Sequence, residues 1–296
     1  MNYHTLHTKP LPNITHNITE KMIIKSLLNC YKNTAFSTFP YILHNVSSRE
    51  AINKYKSGNC IALSMYVQQH LLNRYNVKSY LIPATIPNKY KYPEYLDISH
   101  VALAIPKNNN EIYIVDSAFY FLNPIKINFN TNNIPTVYSK NVYKYEPATD
   151  LQNYVSIDKI ETKLIKTTNK EVLNEYQSIP ENTFKCICNH VNDKKDTWTY
   201  ILREVLNPDR AITTFFINTR KKPFICSTML DKNGICTSNI YLKLLSNNLI
   251  ETNNNSNPNV VYNNDNIPND IKEKLKKFNI NNLPTNIEQK TYIIND

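Results

Sequence analysis

Glycine is almost missing from this chain: of 296 residues only Gly58 and Gly234 are glycine. Neither GxGxxG nor GxxxxGKS can be written with two glycines, so glycine-rich phosphate cradles are excluded, and dinucleotide folds and P-loop kinases with them. Long apolar runs are absent too. Nothing approaches the roughly 18 to 20 residues needed to cross a bilayer, and the opening MNYHTLHTKPLPNITHNITEK is polar, without an apolar region behind a basic start. The expectation is a soluble, cytoplasmic chain that is not secreted and has no membrane partner.

Arginine is scarce as well. The chain carries 34 Lys and Arg against 24 Asp and Glu, a formal charge of +10, but its arginines are Arg49, Arg74, Arg203, Arg210 and Arg220 alone. The other cations are lysines spread along the sequence, whereas a nucleic-acid surface gathers its cations and uses arginine forks on phosphates and guanines. With Asn, Lys, Ile and Tyr all heavy, the basic balance reads as the imprint of an AT-rich genome, and no nucleic-acid partner is expected. Six cysteines in a chain this long do not make a disulfide scaffold, so each thiol is judged singly.

At 41% hydrophobic residues there is material for one large domain or a few small ones. Residues 1 to about 18 read as a loose arm. Ile23, Ile24, Leu27 and Leu28 then share one face of a helix, and a second helix runs from Cys60 to about Tyr75, with Leu63, Val67 and Leu71 at intervals of four. Gly58 and Asn59 form the turn that launches it. From Val77 the period changes to two, giving strands over 78–86, 98–105, 111–118, 159–166, 184–190, 211–218 and 223–229. The Asn-rich NNLIETNNNSNPNVVYNNDN reads as a surface loop or linker, and IPNDIKEKLKKFNI as a short amphipathic helix.

Chemistry concentrates at three residues. HVALAIPKNNNEIYIVDS is a hairpin by its alternation and its polar turn at Lys107 to Asn110, which sets His100 opposite Asp116 or one step off, with both side chains on one face. An imidazole so held by a carboxylate keeps one nitrogen free to act as a base. Cys60 stands in the first turn of the second helix, where unpaired N–H groups and the helix dipole favour negative charge and can also receive an oxyanion. Gly58, two residues earlier in a chain that avoids glycine, marks a close approach or a backbone conformation that a Cβ would block. Together these read as nucleophile, base and orienting acid.

At these residues the chain resembles the arylamine N-acetyltransferases, a branch of the papain-like and transglutaminase-like cysteine enzymes with Cys, His and Asp in this order. The resemblance rests on SGNCIALSMYVQQHLL, SHVALAI and IYIVDSAFYFLNPIKI, covers roughly residues 20 to 130, and has an echo in the closing helix. It implies an α+β fold with an N-terminal helical bundle and arm (1–85) carrying the nucleophile, a central antiparallel β-barrel (86–200) carrying His and Asp, and a C-terminal α/β lid (201–296). It also implies a cysteine acyltransferase that takes an acetyl group from acetyl coenzyme A, as co-substrate, to an arylamine or other small amine acceptor. Cys60, His100 and Asp116 would be catalytic, and Gly58, Asn59 and Phe119 would line the substrate site. The family's Arg-Gly-Gly is here Lys56, Ser57 and Gly58, and its Gly-Phe-Gly is Ala118, Phe119 and Tyr120; in the family those glycines let the donor approach the backbone. Two other readings stay open: the same triad acting on an amide bond, as in transglutaminase-like or peptidase relatives, and a binding protein on a retained scaffold.

The remaining residues point to no metal. Cys186, Cys188 and His190, with Cys226 and Cys236 beyond, lack the usual C-x₂₋₄-C pairing of structural zinc and suit one face of a strand. Cys30 reads as core, and His70 as a packed or solvated helix residue.

Overall fold

The structure is a computed structural model, and it describes residues 8–10, 16–84, 100–108, 111–118, 122, 124–128, 136–144, 155–167, 183–189, 195–200, 204–206, 212–217, 224–230, 236–245, 248–251, 260–283 and 290–295. Its helices are α1 (Glu20–Asn33), α2 (Phe39–His44), α3 (Ser48–Tyr55), α4 (Cys60–Tyr75) and α5 (Asn269–Lys276). The strands begin with β1 (Thr8–Pro10), β2 (Ala35–Ser37), β3 (Ser57–Gly58), β4 (Tyr80–Ala84), β5 (His100–Asn108), β6 (Glu111–Val115), β7 (Ile125–Asn128), β8 (Thr136–Lys144) and β9 (Val155–Thr167). They continue with β10 (Thr183–Asn189), β11 (Lys195–Tyr200), β12 (Glu204–Leu206), β13 (Ile212–Ile217), β14 (Phe224–Leu230), β15 (Cys236–Leu245), β16 (Asn248–Glu251), β17 (Val260–Asn263) and β18 (Lys290–Asn295).

Two sheets carry the fold. The larger has eight antiparallel strands in the order β7-β6-β5-β4-β11-β10-β9-β8. Among the described residues the sheet is not closed into the expected barrel: β7 pairs through its four residues with β6 alone and β8 pairs with β9 alone. The smaller sheet has six strands in the order β17-β16-β15-β14-β2-β3, so two short strands of the helical segment complete a sheet built mainly from the last part of the chain. Two expectations change as a result. The N-terminal arm supplies β1, which pairs with β12, and the Asn-rich stretch contains the strands β16 and β17, whose Leu249–Ile250 and Val260–Val261 pairs suit a ladder despite the asparagine around them.

One face of α1 (Ile23, Leu27, Cys30, Tyr31) and one of α4 (Leu63, Val67, Leu71) bury against Leu81, Val101, Leu103 and Val115 of the larger sheet. A second core joins Ala35 and Phe39 to Ile225, Leu242 and Leu244 and to Ile271, Leu275, Phe278 and Ile280 around α5. Ile271 and Leu275 lie four apart, the stripe expected of that helix. Asn279 Nδ2 donates to Lys54 O, fastening this end of the chain to α3.

The scarcity of glycine has a visible cost at helix ends. The left-handed positions that commonly take glycine are filled by Asn45 after α2 (φ 49°), Lys56 after α3 (φ 53°), Asn76 after α4 (φ 54°) and Asn279 after α5 (φ 56°). Asparagine tolerates this region better than other side chains, so an Asn-rich chain can close its helices without glycine. Gly58 is spent on room instead. A Cβ there would stand 2.5 Å from Ala62 Cβ, 2.8 Å from Tyr41 Oη and 3.3 Å from Ala51 Cβ. Gly58→Ala is expected to lower stability by about 1–3 kcal/mol, read as a shift of the urea midpoint; an unchanged midpoint would show that the α3–α4 junction yields freely.

Candidate active site

Cys60 opens α4, and the local sequence explains why the helix starts there. Asn59 is its N-cap: Oδ1 accepts from Ala62 N at 3.0 Å and from Ser48 Oγ at 2.9 Å, and Leu63 N donates to Asn59 O at 3.0 Å. Asn59 N donates to Tyr41 Oη at 2.9 Å, and with the Ser48 hydroxyl proton committed to Asn59, the 3.2 Å contact between Tyr41 Oη and Ser48 Oγ has Tyr41 as donor. This closed circuit of Tyr41, Ser48 and Asn59 fixes the backbone just before the thiol. Asn59 Nδ2 is buried and has no partner among the described residues. The room beside Gly58 is filled by Tyr41, Ala51 and Ala62, so this glycine packs protein against protein.

His100 begins β5 and Asp116 follows the last residue of β6. The ladder pairs Leu103 with Val115 and Ala104 with Ile114, and its register shifts between Pro106 and Asn108. Extended by one pair, it sets Asp116 against Ala102, two positions from His100. A displacement of two preserves the face, so the side chains meet diagonally. His100 Nε2 donates to Asp116 Oδ2 at 2.7 Å, and Tyr200 Oη from β11 donates to the same oxygen at 2.9 Å. Asp116 Oδ1 is buried with no partner among the described residues. With Nε2 committed to Asp116, Nδ1 is the ring nitrogen left for Cys60, whose side chain is near enough to help raise the ring's pKa.

All three side chains are sequestered: Cys60 is 5% exposed, His100 3% and Asp116 2%. Burial by itself disfavours a charged imidazole, but the Asp116 charge and hydrogen bond, with the Cys60 contact, outweigh it and raise His100 to about 10. The ring is therefore a cation at neutral pH, beside a sulfur at a helix N-terminus. Cys30 makes the contrast. Fully buried, with Sγ 3.3 Å from Thr34 Oγ1, it is pushed up to about 12 by desolvation and remains a neutral core thiol. Tyr31 is likewise held well above the tyrosine range, first by burial and then by its neighbours Cys30 and Asp116.

Of the residues singled out in the sequence, Cys60, His100 and Asp116 come together, Gly58 and Asn59 build the turn before the thiol, and Phe119 lies outside the described residues. Tyr200 was not foreseen, since it stands 84 residues beyond Asp116 in a strand with no motif. Cys186 and Cys188 occupy alternate positions of β10, while His190 lies outside the described residues. Among the described residues no three His, Cys, Asp or Glu side chains group as metal ligands, and no helix is long and apolar enough to cross a membrane.

No family model matches the sequence, and no curated relative does. The likeness is in three dimensions. The chain is similar to the arylamine N-acetyltransferase of Bacillus cereus that carries a unique Cys-His-Glu catalytic triad, with a TM-score of 0.54 at 14% identity over 87% of this chain and 90% of that one. It is also similar to arylamine N-acetyltransferase C of Bacillus anthracis, with a TM-score of 0.53 at 16% identity over 89% and 92%. The fold is thus a mixed helix and sheet fold of the arylamine N-acetyltransferase kind, in agreement with the resemblance read around Cys60, His100 and Asp116.

Two outcomes follow from the buried pair. Because His100 is raised above its ordinary 6.5, its pairing stabilises the fold fully below about 6.5, and that contribution is lost as pH climbs toward about 10. Thermal melting should therefore fall across that window in the natural chain and stay flatter in His100→Gln; parallel profiles would contradict the pairing. Tyr200→Phe, which removes one of the two donors on a buried carboxylate oxygen, should cost about 1–3 kcal/mol in urea unfolding.

Proposed function

We propose that the protein is a cysteine acyltransferase that moves an acyl group, acetyl in the first instance, from a coenzyme A thioester through Cys60 to an arylamine or other amine. The single observation that supports this is Cys60, in the first turn of α4, set beside a His100 ring that is hydrogen-bonded to Asp116. In this reading the helical segment (1–85) brings the nucleophile, residues 86–200 bring the base and its acid, and residues 201–296 cover them. Phe119 lines the acyl site.

Each step follows from the geometry. Cys60 Sγ, anionic beside the His100 cation, attacks the thioester carbonyl. The first-turn N–H groups of Cys60 and Ile61, which the Asn59 cap does not take up, receive the oxyanion. His100 Nδ1 gives its proton to the departing thiolate, leaving acyl-Cys60 and a neutral ring. An amine then attacks the new thioester, Nδ1 takes its proton, and the C–S bond breaks to return the Cys60 thiolate and release the amide. Asp116 holds the ring orientation throughout, and Tyr200 holds Asp116.

One observation favours the second reading, transfer from an amide donor. The space beside Gly58 is closed by protein side chains, and Ala118 stands where the related family has glycine, so neither position offers a bare backbone to a pantetheine arm.

Intact-mass measurement separates these readings. With acetyl coenzyme A, an acetyl adduct should form on the natural chain and vanish in Cys60→Ala, and His100→Gln should slow its formation by roughly 10²–10⁴-fold. An adduct that survives in Cys60→Ala would overturn acyl transfer through this sulfur. Labelling of Cys60 by a glutamine peptide, and never by acetyl coenzyme A, would select the amide reading.

A further inference from the structure

A cleft lies apart from the sulfur. It has a volume of about 450 Å³, within the range of small-ligand pockets, and runs between α3 and α4. Its α3 wall is Arg49, Ile52, Asn53 and Lys56, spaced as one helix face, and its α4 wall runs from Met65 to Arg74. At about 100° per residue, Gln69 in that wall stands roughly 180° around α4 from Cys60, so the cleft opens on the opposite side of the helix from the thiol.

Its chemistry is of one sign. Arg49, Lys56 and Arg74 line it and no aspartate or glutamate does, and the remaining polar lining is mostly carboxamide, with Asn53, Gln69 and Asn73 among it. Two of the chain's few arginines thus meet at one groove, although the cations look dispersed in the sequence. Lys56 and Arg74 are exposed and make no ion pair among the described residues, while Glu50, the acid nearest in sequence, is taken by Lys54 at 3.0 Å. Ser26 Oγ donates to Met22 O at 3.0 Å, so in the 3.0 Å contact with His70 Nδ1 that nitrogen is the donor, which ties the ring to α1 instead of making it an anion ligand. Burial first, then the Arg74 charge, lower His70 from the usual histidine range.

We propose that this cleft is a separate binding site for a small phosphoryl-bearing anion, held by Lys56, Arg74 and Arg49 with the carboxamides of α3 and α4 as further donors. Planar guanidinium forks and a lysine in a groove without carboxylates match the geometry and charge of phosphoryl oxygens. An open cleft of this volume suits a diphosphate or a nucleotide. The inference does not rest on the acyl-transfer reading.

The test is calorimetric titration of the full chain at about 0.1 M salt with inorganic pyrophosphate and, separately, with adenosine 5′-diphosphate. One of them should saturate a single site with Kd below about 1 mM. The double variant Lys56→Gln with Arg74→Gln should weaken it about tenfold or more, and a control, Lys272→Gln with Lys276→Gln on α5, less than about twofold. The control removes the same net charge from exposed positions elsewhere, and thermal melts establish that both variants are folded. Tighter binding of the nucleotide assigns the phosphoryl group to a nucleotide, and equal or tighter binding of pyrophosphate assigns it to inorganic phosphate. Equal weakening in both double variants, or saturation by neither anion, overturns the site.

Discussion

The structure around the candidate site depends on one buried contact, the 2.7 Å pairing of the His100 ring with the Asp116 carboxylate. Removing both groups from water is costly, and only good geometry with further hydrogen bonds offsets it. Here Tyr200 supplies a second donor to the same oxygen, and the Cys60 side chain is the neighbour left to the other ring nitrogen. The contact thereby ties together the first turn of α4, the β5–β6 hairpin and β11, three elements far apart in the chain. The sulfur sits beside a cation because a carboxylate two residues off in the ladder keeps the imidazole charged.

The helical segment solves a different problem, that of turning without glycine. Asparagine closes two of its helix ends, after α2 and α4, in the left-handed region, and Lys56 closes a third. The single glycine left in this segment stands where α3 and α4 come closest, with Ala62 and Tyr41 within reach of any added Cβ. The circuit of Tyr41, Ser48 and Asn59 then converts that tight junction into a fixed starting point for α4. Packing and capping, rather than backbone freedom, position the nucleophile.

Much of this was legible. Intervals of four in Leu63, Val67 and Leu71 gave the bounds of α4, and period-two alternation gave β5 and β6, because burial on one face imposes those periods directly. The pairing of His100 with Asp116 survived a ladder shifted by two positions, since such a shift preserves the face. A separate one-residue irregularity of the ladder lies beside Pro106, which has no N–H to give to it. Other features left no trace. Tyr200 lies in a strand without a motif, and composition hid β16 and β17, because asparagine around short β-branched runs reads as loop until a partner strand is present. The barrel was expected from family likeness, and closure depends on edge strands finding one another, which no local pattern records.

By itself the sequence determined which residues could carry chemistry and on which face of which element each would stand, because periodicity and helix capping are local effects of side-chain shape and backbone hydrogen bonding. Tertiary structure alone decided that the imidazole would be charged, that a tyrosine from β11 would brace the carboxylate, and that dispersed cations would meet along α3 and α4. Those outcomes are set by desolvation and by distances between residues remote in the chain, and both exist only once the sheets and helices have packed.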